Sequence, residues 1–207
     1  MKSGAPVRCT WPGLDNPIYT RYHDTEWGVP KTDDRALFEK MILEGFQSGL
    51  SWLTILKKRE NFRAAFDNFD AEKIARYGDT EKARLLADAG IIRNRLKIDA
   101  TIDNARAYLK LAEKTSLARF FWSFVDGRPQ INLYKTHGDV PAETEVSKKI
   151  SKALKAEGFR FVGPTTMYAF MQASGLVNDH LLGCHRHSHC STLMRAFELP
   201  GHDDGAA

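Results

Sequence analysis

Two cysteine–histidine pairs stand at opposite ends of this 207-residue chain, Cys9 with His23 and His180 with Cys184. The second pair is spaced i, i+4, which places both side chains on one helical face or turn. Two thiolates and two imidazoles complete a tetrahedral zinc set, and four protein ligands leave no position for water, so the ion would be structural. It would clip the N-terminal segment onto the C-terminal helix and close a very long loop. Spacing alone leaves a second reading open, in which these are unrelated thiols and surface histidines. His185, His187, His189 and Cys190 form a further cluster, able to bind metal independently or to sit in a solvated tail.

A carboxylate among aromatics is the second constellation. Glu44 lies in the almost wholly apolar stretch Met41–Trp52. At a helix end it would stay solvated, the usual fate of a Glu. Buried, it needs a partner, and a cationic or amine-bearing ligand would serve. Tyr19, Tyr22, Trp27 and Trp52 offer faces that stack on nucleobases and attract cations. A cationic purine would satisfy both demands. Aromatics that only fill the core are the even alternative. The third element is the glycine-bounded apolar turn Gly158–Thr166. Gly163 permits close backbone approach there, and free N–H groups at the next helix start can bind a phosphate. A plain helix–helix turn holding Phe and Val in the core explains the same pattern.

The elements that must position these groups read as helices. Asp33 or Asp34 can cap a helix running to Glu44, with Gly45 as its stop. Further helical patterns cover Leu50–Phe66, Ala71–Tyr77, Thr80–Asp88, Ile91–Glu113, Leu117–Val125 and Ser147–Glu157. A last helix runs from Pro164 to Gly175. No stretch sustains period-two alternation, and the loop Asp126–Pro141 has room for one short extended piece. The fold class is therefore all-α, with one domain over residues 1–197 and a polar, frayed tail over 198–207.

Composition fits this. Hydrophobic residues make up 43% and charged residues 27%, ordinary for a globular chain. A net charge of +4 permits a nucleic-acid partner without demanding one. The longest uncharged run, Phe161–Asn178, carries two Gly, a Pro, a Gln and an Asn, so no membrane partner is expected. Three cysteines and no apolar leader after the first basic residues favour metal binding or free thiols in the cytoplasm over disulfides.

Ordered blocks along the chain carry a family resemblance. They are Tyr19-x-x-Tyr22-His23-Asp24-x-Glu26-Trp27-Gly28-Val29-Pro30, Leu43-Glu44-Gly45-x-Gln47-x-Gly49-Leu50-Ser51-Trp52 and Leu56-Lys57-Lys58-Arg59-Glu60-Asn61. Gly90-Ile91-Ile92-Arg93-Asn94-Arg95, Phe161-Val162-Gly163-x-Thr165 and Phe170-Met171-Gln172-Ala173-x-Gly175-Leu176-Val177-Asn178-Asp179-His180 follow. From about Cys9 to Cys184 the chain resembles the bacterial 3-methyladenine DNA glycosylase I family. That resemblance implies a helix-hairpin-helix glycosylase fold, two helical lobes with a base pocket between them, and a structural zinc on Cys9, His23, His180 and Cys184. It implies that Glu44 contacts the hydrogen-bonding edge of a bound adenine, Trp52 stacks on it, and Tyr22, Trp27 and Tyr19 line the pocket. Gln47, Gly49 and Leu50 lie where the family's loop would enter the DNA stack, while Gly163 and Thr165 belong to the phosphate hairpin. Asn178 stands where many related glycosylases carry a catalytic Asp, a substitution that belongs to this family.

The activity implied is monofunctional excision of 3-methyladenine from alkylated double-stranded DNA, leaving an abasic site and releasing the free base, by a monomeric bacterial enzyme. Two other readings compete. A lyase would need a lysine near the hairpin for a Schiff base. A non-enzymatic, zinc-stabilised DNA-binding module would show salt-dependent affinity without base release.

Overall fold

The computed structural model describes residues 6–200. Helix starts follow the capping residues of the sequence. α1 (Pro17–Thr25) begins under Asn16, with Pro17 in its first turn. Asp33 caps α2 (Asp34–Gln47) and Ser51 caps α3 (Trp52–Ala65). The short α4 (Ala71–Ile74) and α5 (Asp79–Ala87) follow. Asn94 caps α6 (Arg95–Ala112) and Ser116 caps α7 (Leu117–Ser123). After the two-residue strand β1 (Gln130–Ile131), Thr144 caps α8 (Glu145–Ala156). α9 (Pro164–Ala173), strand β2 (Val177–Asn178) and α10 (His185–Arg195) complete the order. Each side-chain cap satisfies an N–H that the helix leaves orphaned, worth ~1 kcal/mol.

α2 is the central helix. Leu37, Phe38, Met41, Ile42, Leu43 and Phe46 are all buried, so apolar side chains leave it in most directions. Only a helix enclosed by others can carry that pattern, and α3, α6, α7 and α9 pack around it. Most buried apolar side chains form one continuous cluster on this axis. Two small clusters lie apart from it. One holds Tyr22, Trp27, Leu56 and Ala173, the other Cys9, Leu181 and Cys184, and Trp11 packs against both. The candidate functional residues are concentrated in these satellites.

The mostly helical class read from the sequence stands, and the extended piece expected within Asp126–Pro141 is β1. It pairs in parallel with β2, Gln130 opposite Val177 and Ile131 opposite Asn178. Several boundaries differ. Gly45 does not stop α2: the helix continues to Gln47 and ends at Ser48, before Gly49 at φ +83°. Gly45 is needed for space, because a Cβ there would lie 3.3 Å from the Cβ of Phe161 in the α8–α9 turn. The long helix expected from Ile91 starts only at Arg95, under the Asn94 cap. Pro164–Ala173 is not the last helix, since α10 occupies the stretch read as either a second metal cluster or a solvated tail. Of the expected frayed tail, Leu199 still packs against the main cluster; residues 201–207 lie outside the described residues. No helix among the described residues is long and apolar enough to cross a membrane.

Candidate functional site

A cavity of about 300 Å³ opens beside α2. Its walls come from Tyr19 and Tyr22 of α1, Glu44 and Gln47 of α2, Trp52 of α3 and Gln172 of α9, with Trp11, Trp27, His137 and Asp179 from connecting segments. The volume lies at the small end of ligand pockets. The structure thus brings Tyr19, Tyr22, Trp27, Glu44 and Trp52 to one place.

Glu44 is 4% exposed. Among the described residues no hydrogen-bond donor or salt bridge meets its carboxylate, so the group faces the cavity unpaired. Burial pushes its pKa up to about 7, with the charge of Lys40 pulling it back down. The aromatic walls are interlocked. Tyr22 and Trp52 ring centroids are 5.5 Å apart at 50°, and Trp11 meets Trp27 edge-to-face at 4.6 Å. The Trp52 Nε1–H is buried without an acceptor.

Three contributors escaped the sequence reading. Trp11 forms a wall, its ring packed against Tyr19, His23 and Trp27. Lys40 is buried one helical turn from Glu44, its Nζ donating to the Tyr22 hydroxyl at 3.3 Å. Its i, i+4 spacing to Glu44 was the available signal. Asp179 is the third. Its carboxylate lines the cavity while accepting from Asn132 Nδ2 at 2.7 Å, Tyr168 Oη at 2.6 Å and Gln172 Nε2 at 2.8 Å. The neighbouring Asn178 is not among the lining residues. Its amide donates to the His187 carbonyl and Ser191 Oγ, both at 3.0 Å, and so fastens α10 to β2.

Gln47 lines the cavity, whereas Gly49 and Leu50 lie in the α2–α3 turn and do not line it. Leu50 is 40% exposed, and several other leucines of the surface are exposed too, Leu96, Leu133 and Leu182 among them. Gly163 caps α9 with open space where a side chain would go, and Thr165 sits in that first helical turn. Neither lines the cavity.

Behind the Trp11–Trp27 wall, Cys9, His23, His180 and Cys184 converge, all four buried, with their ligand atoms within 4.8 Å of one another. Cys9 Sγ lies 3.6 Å from His180 Nδ1, and Cys184 Sγ lies 3.5 Å from His23 Nε2 and 3.7 Å from His180 Nδ1. A tetrahedral ion with M–S of about 2.3 Å and M–N of about 2.0–2.1 Å needs sulfur and nitrogen about 3.6 Å apart. The outer ring nitrogens are engaged: His23 Nδ1 with Asp24 Oδ1 at 2.8 Å, itself held by Arg8, and His180 Nε2 with the Trp27 carbonyl at 3.1 Å. That leaves one nitrogen of each ring turned inward, the arrangement in which imidazoles meet a metal. Leu181 and Arg186 N–H groups donate to the two sulfurs, each at 3.4 Å. His180 and Cys184 share a turn rather than a helix, with Cys184 capping α10. The second histidine cluster does not join them. His185 meets the Val7 carbonyl at 2.9 Å, His187 meets that of Asn132 at 3.0 Å, and Cys190 is fully buried.

A sequence profile of the methyladenine glycosylase family matches residues 11–187. The chain belongs to the methyladenine glycosylase family. It is 53% identical to the DNA-3-methyladenine glycosylase 1 of Escherichia coli K12 over 86% of this chain and 95% of that protein. A crystal structure of a 3-methyladenine DNA glycosylase I superposes with a TM-score of 0.84, 53% identity, and coverage of 86% of this chain and 98% of that one. The Staphylococcus aureus 3-methyladenine DNA glycosylase I, solved to show how 3-methyladenine is recognised, superposes with a TM-score of 0.83. It is 39% identical, over 88% of this chain and 97% of that one. Family membership thus rests on most of this chain, and the matched residues 11–187 hold the cavity and three of the four clustered ligands, His23, His180 and Cys184, with Cys9 just before them.

Proposed function

We propose that this chain is a monofunctional glycosylase that hydrolyses the N-glycosidic bond of 3-methyladenine in alkylated duplex DNA. The observation that carries the reading is Glu44, an unpaired carboxylate buried in an aromatic cavity of purine size. N3-alkylation puts a positive charge on the adenine, and a cation is what such a carboxylate lacks. Trp52 and Tyr22 offer ring faces to the same base, adding about 0.5–2 kcal/mol of cation–π attraction. Gln172 and Gln47 bring further hydrogen-bonding groups to the walls.

The damaged nucleotide leaves the duplex, and weakened stacking or pairing makes it cheaper to extrude than a normal one. Leu50 and Gln47, with Gly49 allowing the turn between α2 and α3, enter the vacated stack. Gly163 and Thr165 at the start of α9 present free N–H groups to a backbone phosphate. When the glycosidic bond breaks, its electron pair goes to the purine, which departs as neutral 3-methyladenine, while positive charge develops at the sugar C1′. Water adds there and loses a proton, leaving the abasic site. The base needs no protonation to leave, so Asn178 at the customary acid position is no obstacle, and Asp179, held by three donors, stands as a fixed negative charge toward the sugar. Loss of charge on the base also removes its attraction to Glu44, which favours release.

Cys9, His23, His180 and Cys184 fit zinc in donor set and spacing. Held by these four residues, zinc would hold the chain ends together behind the Trp11–Trp27 wall, and four protein ligands would leave no open position for water, making its role structural. A Schiff-base lyase is disfavoured because Lys97 Nζ is spent on the Phe46 and Ser48 carbonyls, both at 2.7 Å, and Lys40 lies behind aromatic rings. We read residues 1–197 as one domain with lobes on either side of the cavity, acting as a monomer in the bacterial cytoplasm. The test is release of base from methylated duplex DNA. Free 3-methyladenine and an alkali-labile abasic site are expected, with no borohydride-trapped adduct; DNA affinity without base release would leave only a binding module.

A further inference from the structure

Lys40 is the least expected charge in the molecule. It is 6% exposed on the central helix, and among the described residues its three donor hydrogens find a single acceptor, the Tyr22 hydroxyl. The ammonium otherwise rests against two ring faces, 4.7 Å from the Tyr22 centroid and 4.5 Å from that of Trp52. No carboxylate lies within ion-pair distance of it among the described residues. A buried cation held so loosely is a net cost unless a charge nearby offsets it.

That charge is Glu44, one turn along on the same face of α2. On its other side Lys40 lines a second cavity with Asp33, Glu39 and Arg63, where Arg63 grips Glu39 at 2.7 Å and Asp33 accepts from the Ala36 N–H. From the α1 side come Tyr19, Tyr22 and Glu26, and Glu26 is gripped by Arg59 of α3 through two bonds of 2.6 and 3.0 Å. Lys31, in the segment before α2, acts on Glu26. His137 and Asp179 face the cavity from its far walls, and Asp179 is satisfied by its three donors. Tyr22 and Trp52 stand between Lys40 and the cavity, so the ammonium acts on Glu44 without meeting a ligand that stacks on the front of those rings.

We propose that Lys40 is a positioning residue for the base site, its screened ammonium supplying the buried positive charge that keeps Glu44 a carboxylate while the cavity awaits its ligand. This rests on the reading of Glu44 as the group that receives a cationic base. Burial holds the Lys40 amine down at about 8, so the device works below that pH and fades above it.

The test is titration of the intact protein with a permanently charged probe, the 3,9-dimethyladeninium cation, between pH 5.5 and 9. Wild-type affinity should fall on the acid side with a midpoint near 7. Lys40→Met should move that midpoint up by about one to three units, the usual effect of removing a neighbouring opposite charge. The two curves should converge near pH 9, where the wild-type amine has lost its proton, and Lys40→Arg should keep the wild-type midpoint. A uniform loss at every pH, shared by Lys40→Arg, would make Lys40 a packing residue and overturn the proposal, as would an unmoved midpoint. If Lys40→Met does not fold, Lys40→Gln serves the same comparison. Glu44→Gln separates the two ideas. A flat, weak curve for Glu44→Gln beside an unmoved Lys40→Met midpoint sinks only the role of Lys40; wild-type affinity in Glu44→Gln sinks the base site itself.

Discussion

Replacing Glu44 by Gln isolates charge from shape, because the amide keeps the volume and one acceptor. A hydrogen bond between a carboxylate and a cationic partner is worth about 1.5–3 kcal/mol, so the amide should weaken binding of a cationic adenine by about 10- to 150-fold at pH 8. The pH dependence is the sharper quantity. Burial raises the carboxyl to about 7, so the binding-competent anion is present above that pH and lost as pH falls through it. With that midpoint the wild-type protein is about 90% ionised at pH 8 and about 10% at pH 6, so affinity for a fixed cation should drop roughly tenfold between them. Glu44→Gln has nothing to titrate there and should be flat. Calorimetric titration with the 3,9-dimethyladeninium cation measures both effects, and excision from methylated DNA should fall with the affinity. At pH 9, where Lys40 has lost its proton and needs no offsetting charge, the amide fits the same space, so the melting temperature should stay within ~4 °C, equivalent to ~1 kcal/mol in a chain of this size. A wild-type affinity that is level from pH 6 to pH 8 would refute the electrostatic argument even if the variant bound poorly, since shape alone would then explain the loss.

Metal removal and backbone changes give the remaining expectations. Native mass spectrometry should find one zinc per chain, and stripping it should lower the melting temperature by ~10 °C or more, because binding to a buried four-ligand site is folding free energy. A metal-free protein of unchanged stability would dispose of the clip. Gly175→Ala and Gly163→Ala should behave oppositely. At Gly175, φ is +73° and an added Cβ would fall 2.3 Å from the Pro30 nitrogen, so the variant should be unfolded or insoluble in expression trials. At Gly163 nothing lies within 4 Å, so Ala should cost no more than ~1 kcal/mol of stability by thermal melt. Its affinity for duplex DNA should nevertheless fall, by fluorescence anisotropy, if the α9 N-terminus meets a phosphate.

What the sequence made legible was local. Asp33 announces the start of α2 through its own side chain and acts as its cap, whereas the caps Ser51, Asn94 and Thr144 were passed over and their helices read from Leu50, Ile91 and Ser147. Glu44 betrayed itself by standing in an apolar run, and the aromatics by their type. What stayed hidden depended on which surfaces meet. Gly45 carries the ordinary signature of a helix stop, and only the approach of Phe161 explains why α2 runs past it. α10 is rich in histidine and weakly apolar, so periodicity could not find it; it is held by buried Cys190 and Met194 and by carbonyls that its imidazoles meet.

The two acidic-looking neighbours at the end of β2 show the limit most clearly. In extended backbone successive side chains point to opposite sides. Asn178 therefore turns to α10 while Asp179 turns to Tyr168, Gln172 and the cavity. A motif read by residue type fixes attention on the first position, yet one step of the chain decides which of the two faces the ligand. Lys40 poses the same problem on a helix. As a residue type it reads as a solvated side chain, and its burial follows only once α1 and α3 close over α2. The i, i+4 interval to Glu44 was present in the sequence, but without a direct ion pair it acts only when both ends are buried together. Two opposite charges in one dry corner hold each other's protonation in place, and this is how a cavity can wait, empty, with the charge that a cationic base requires.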